Sequence, residues 1–124
     1  MKEIKNIMFV RENSIDSDGD VFSSAMLKSF DGSNVPVIKG SSWKEYFGYA
    51  KITYVSGDGC YADLTLNDDI EIKDAYLSAG FTCEEISIKD DIRIFEIGKI
   101  VSVGLHESKN ADFSIKKISE QVKK

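Results

Sequence analysis

Phe47-Gly48-Tyr49-Ala50-Lys51-Ile52-Thr53-Tyr54-Val55-Ser56-Gly57-Asp58-Gly59-Cys60-Tyr61-Ala62-Asp63-Leu64-Thr65-Leu66 is the stretch that decides the fold. Two apolar-rich runs, 47–55 and 60–66, flank Ser56-Gly57-Asp58-Gly59, whose residues accept the backbone angles of a tight reversal. In the second run Cys60, Ala62, Leu64 and Leu66 alternate with Tyr61, Asp63 and Thr65. That is the two-residue period of a strand with one buried face. The pattern predicts a β-hairpin.

Working outward, Lys5 to Arg11 reads as a first strand, followed by the turn cluster Asn13 to Asp20. Asp20 or Ser23 can cap a helix over Val21 to Phe30, with Gly32 as its stop. Val35 to Ile38 is a short strand entered by the only proline, Pro36, which places it at a strand start or a sheet edge. Asn67 and Asp68 introduce a predicted helix over Ile70 to Ser78, closed by Gly80. Phe81 to Ile88, Ile92 to Ile97 and Ile100 to Leu105 read as three strands, the last two separated by a break near Gly98. Phe113 to Val122 is a candidate peripheral helix. About seven strands, two or three helices and no alternating βαβ pattern predict an α+β fold, mainly β: a small, antiparallel-rich barrel with external helices. The barrel domain is expected over 1–108, with a polar tail over 109–124 that includes the candidate helix.

With 124 residues the chain is one ordinary domain, and 42% hydrophobic with 30% charged residues is the composition of a soluble globular protein. A net charge of −5 argues against a nucleic-acid binder, which needs a basic face. The longest apolar runs are too short to span a bilayer, and Met1-Lys2-Glu3-Ile4-Lys5 lacks the apolar core of an export signal. The expectation is a cytoplasmic protein without cofactor, whose Cys60 and Cys83 are reduced thiols. Asp16, Asp18 and Asp20 alternate like the start of a calcium loop. The glycine falls at Gly19 and position twelve is Leu27, so a turn is the expectation and no metal is assigned.

Five segments then stand in a significant order: Asp16-Ser17-Asp18-Gly19-Asp20, Val35-Pro36-Val37-Ile38, Gly48, Ser78-Ala79-Gly80-Phe81-Thr82, and Ile97 to Leu105. In order and spacing they resemble the prohead (capsid maturation) protease family of tailed phages, itself related in fold to herpesvirus assemblin. The family has an acidic Gly-Asp turn, a strand leading to a histidine, and a glycine following that histidine after six residues. A Gly-Phe-Ser strand presents its nucleophile, and a closing strand carries a glutamate. The resemblance covers 9–105 and implies a bacterial host cell, a place within assembling phage heads, and a capsid or scaffold protein as partner. Because assemblin-type enzymes dimerise, it also admits a homodimer.

The departures fall at the chemistry. Ser41 stands in the histidine position, Thr82 in the serine position and Ile100 near the glutamate position. A hydroxyl nucleophile needs a neighbouring base, and Ser41 cannot accept a proton near neutral pH. The reading is therefore a degenerate, proteolytically inactive relative that binds its partner. Two alternatives stay open. One is an active peptidase with a rearranged site on Thr82 or Cys83, drawing on Lys39 or His106 as base. The other is an unrelated small bacterial barrel that binds a partner. Trp43 and Tyr46, in the densest aromatic stretch, are the candidate binding residues.

Overall fold

The computed structural model describes residues 1–15, 19–40, 42–72, 75–106 and 115–122. Seven strands and two short helices follow one another as β1 (Lys2–Arg11), β2 (Asp20–Phe22), α1 (Ser24–Lys28), β3 (Asn34–Lys39), β4 (Ser42–Val55), β5 (Gly59–Leu66), β6 (Tyr76–Lys89), β7 (Ile92–His106) and α2 (Ile118–Val122). They form a curled, mixed sheet, a half-barrel, in which antiparallel pairings predominate.

The β4–β5 hairpin forms where the alternation predicts it, with Val55 opposite Gly59 and Tyr54 opposite Cys60. Cys60, Ala62, Leu64 and Leu66 are buried, and with Ile52, Phe9, Phe30 and Val37 they fill the concave side. β1 adds antiparallel to β5, and β3 antiparallel to β4. β7 is the organising strand. β6 runs antiparallel along one of its edges from Lys89–Ile92 to Tyr76–His106. On the other edge β2 pairs parallel with its first half and β3 parallel with its last.

Several expectations change. Of the residues predicted as a helix over Ile70 to Ser78, Ile70 closes a turn from Asn67 and Tyr76 to Ser78 begin β6. Ile70 N–H donates to Asn67 O at 3.2 Å, and from Ala75 onward burial follows a two-residue period that sends Ala75 and Leu77 into the core. Gly80 is a strand residue because β6 passes close to Ser102: a Cβ there would lie 2.1 Å from Ser102 Oγ. The predicted break near Gly98 is a pair of register shifts within one continuous β7. α1 is shorter than Val21 to Phe30, since Val21 and Phe22 are extended in β2. Ser23 is the cap, accepting from Met26 N–H at 3.1 Å. Pro36 pairs with Tyr49 of β4, while the β7 ladder begins only at Val37, so the proline sits where β3 is locally an edge. The strand starting at Phe47 begins at Ser42 instead, carrying Trp43 and Tyr46 into β4.

β1, at one end of the hydrogen-bonded path, and β6, which branches from β7, touch without sharing a ladder. α2 bridges the gap. Ile118 is fully buried and its N–H donates to Ala75 O at 2.8 Å. The Gln121 side chain accepts from Met8 N–H at 2.7 Å and donates to Met8 O at 2.9 Å, making the two bonds a neighbouring strand would make. Gln121→Ala strands both buried backbone groups, so it is expected to lower stability by about 1–3 kcal/mol. A urea midpoint shifted down at unchanged slope checks this; an unshifted midpoint contradicts it.

A cleft between the β3–β4 junction and the β6–β7 ladder

Where β3 gives way to β4, Lys39 pairs with both Ser42 and Leu105, and Gly40 N–H donates to Leu105 O at 2.8 Å. This ties the β3–β4 junction to the end of β7. Between the junction and β6 lies a cleft of about 210 Å³ walled by Gly40, Trp43, Ser78, Gly80, Phe81 and Ser102. Gly40 also walls a second cavity of about 720 Å³, with Lys39, Phe47, Asp69, Glu71 and His106.

Small residues make this space. At Gly104 a Cβ would lie 2.2 Å from Gly40 O, 3.0 Å from His106 Nε2 and 3.1 Å from Ser78 Oγ. Gly40 has a left-handed φ of 55°, and a Cβ there would touch the His106 ring at 3.7 Å. Any larger side chain at these positions would fill the space between the strands.

The residues singled out in the sequence scatter around this cleft. Ser41 lies outside the described residues; its neighbours Gly40 and Trp43 line the cleft. Gly80 and Phe81 line it too, but Thr82 does not. It is exposed on the outward face of β6, opposite Lys99. Ile100 is buried in the core across from Phe81, beside the ring cluster of Phe22, Phe81 and Phe95. A core-facing isoleucine cannot do a carboxylate's work. Lys39 is exposed and faces Glu45 at 3.5 Å. Cys83 is half-buried against the core, and its Sγ donates to Glu85 O at 3.2 Å. Cys60 is inert, burial pushing its thiol up to about 12. Of the calcium-loop pattern, Asp16 and Asp18 lie outside the described residues, and Asp20 is buried in a bidentate pair with Arg93 at 2.6 and 2.7 Å. No group of three or more His, Cys, Asp or Glu side chains that could hold a metal occurs among the described residues.

Trp43 and Tyr46 are 49% and 57% exposed, enough to offer their faces to a partner. They meet edge to face with ring centroids 6.4 Å apart. His106, an alternative base in the sequence reading, lines a cavity wall, and burial lowers its pKa from the usual 6.5. Two residues were missed. Ser78 is half-buried on the cleft wall. Ser102 is 3% exposed, and its hydroxyl has no hydrogen-bond partner among the described residues. The usable signal was the chain's single histidine, read together with a small-residue strand on the neighbouring element.

No family model, curated protein or solved structure matches this chain. No helix among the described residues is long and apolar enough to cross a membrane.

Proposed function

We propose that this protein is a prohead-protease-like component of a phage or prophage that binds a capsid or scaffold polypeptide during head assembly, without the family's proteolytic arrangement. The reading is carried by the exposed Trp43–Tyr46 pair, whose tryptophan lines a cleft bounded by β6. Aromatic side chains are the usual anchors of a polypeptide interface. The inactivity of the family-type positions is supported by Thr82 facing solvent opposite Lys99 and by Ile100 lying in the core. An extended segment laid into the cleft would meet backbone at Gly40, which carries no side chain to hold it off.

The test is co-expression with head proteins of the same phage or prophage, followed by affinity capture and intact-mass analysis. The expected result is capture of one uncut head protein. Cutting abolished by Thr82→Ala or Cys83→Ala would replace this reading with an active peptidase. Capture of no head protein would favour an unrelated bacterial binding module.

A further inference from the structure

We infer that Ser78, on the wall of this cleft, and His106, on the wall of the adjoining cavity, form a nucleophile–base pair competent to open an activated ester or amide carbonyl. The β6–β7 register sets Ser78 opposite Gly104 and Tyr76 opposite His106. Ser78 and His106 are therefore diagonal neighbours on one face of the ladder, within reach of a long side chain. Gly104 between them carries no side chain. The point its Cβ would occupy is 2.2 Å from Gly40 O, 3.0 Å from His106 Nε2 and 3.1 Å from Ser78 Oγ, so the two side-chain atoms approach each other beside the Gly40 carbonyl and are no farther apart than the sum of the last two distances. No direct hydrogen bond joins them among the described residues. Nucleophile–base contacts are commonly long in an empty site and tighten when substrate arrives.

The surroundings suit the chemistry. Burial disfavours the imidazolium, so His106 is a neutral base at pH 7. Lys39 of β3 and Asp69 and Glu71 of the loop after β5 share its cavity, and Tyr76 of β6 lies across the ladder. Ser102 stands two residues before Gly104 on the same strand face, opposite Gly80, with its buried hydroxyl uncommitted to any described residue. It supplies a donor for the oxygen of the attacked carbonyl. The small cleft admits the acyl carbon at Ser78, and the larger cavity beyond Gly40 takes the remainder of the substrate.

In the reaction Ser78 Oγ bonds to the carbonyl carbon while its proton passes to His106 Nε2. The bond to the leaving alcohol or amine breaks, and that group departs with the proton. Water, deprotonated by the same nitrogen, then attacks the acyl ester, releases the carboxylic acid and restores the Ser78 hydroxyl.

This pair is independent of Thr82 and goes beyond the binding role. The experiment treats the full chain with diisopropyl fluorophosphate and with p-nitrophenyl acetate, then maps adducts by intact and peptide mass. One adduct on Ser78 is expected, forming faster as rising pH deprotonates His106, whose pKa burial lowers from the ordinary histidine value. His106→Gln should slow it about 100-fold or more, Ser78→Ala should abolish it, and Thr82→Ala should leave it unchanged. Absence of an adduct at Ser78, an adduct at Thr82, Cys83 or a lysine instead, or an undiminished rate in His106→Gln overturns the assignment. Mapping on the unsubstituted chain keeps the test valid should a variant fail to fold. The probes need no polypeptide partner, so failure of the binding role and failure of this pair are read separately.

Discussion

Gly48→Ala is expected to cost about 3–5 kcal/mol, combining backbone strain with overpacking, against the 5–15 kcal/mol that holds a domain of this size together. Gly48 has a φ of 149°, and a Cβ there would lie 1.9 Å from Thr65 O and 2.9 Å from Leu66 Cα. Both are backbone atoms of the β5 ladder, where Gly48 pairs with Leu66 and Tyr49 with Thr65, so neither can yield without breaking the hairpin that founds the fold. Gly57→Ala is the control. It too has positive φ, 80°, yet nothing lies within 4 Å, so the cost should be only about 1 kcal/mol. Thermal and urea melts of the two variants give the comparison. Similar melting of both would mean β4 and β5 do not pass as closely as described.

The second large effect is at the junction of β2 and β7. Arg93 holds the buried Asp20 carboxylate through two nitrogens and also lies over the Phe95 ring at 5.7 Å. Arg93→Ala would leave that carboxylate without its cation. The full penalty for breaking a buried pair is about 3–5 kcal/mol, and the half-exposed arginine reduces it here to about 2–4 kcal/mol. Asp20→Leu in the Arg93→Ala background should recover part of the loss, because an apolar residue carries no charge to bury. Urea midpoints of the single and double variants measure this. A double variant no more stable than Arg93→Ala would show that the charge is not the source of the cost.

The hairpin was legible because its signals are local: alternation in Cys60 to Leu66 and a turn whose glycines adopt positive φ. The parallel pairing of β2 and β3 with β7 was not, because partners some 70 positions apart, such as Asp20 and Arg93, leave no periodicity to read. The predicted helix after Asn67 failed where burial against the core outweighed capping signals. Gly48 entered the sequence reading as part of a histidine–glycine spacing, yet its need for glycine arises from the close passage of β4 over β5. The cleft was half legible. Trp43, Gly80 and Phe81 lie in stretches that drew notice, and they line it together with Gly40. Its reactive candidates were touched on without being paired: Ser78 opens the Ser78–Thr82 segment and His106 was one of two candidate bases. Ser78 lies four residues before the position examined, and His106 turns inward only because Gly40 and Gly104 leave it room.

Trp43 is the chain's single tryptophan and stands on the cleft wall, so its emission reports on occupancy with no other indole to confuse it. Titrating the protein with the head polypeptide captured on co-expression should shift that emission to the blue and saturate. Tyr46→Ala should weaken the association about 10-fold or more, as loss of an aromatic anchor does. Saturable binding seen by calorimetry while Trp43 emission stays unchanged would place the partner on another surface and contradict the cleft as the binding site.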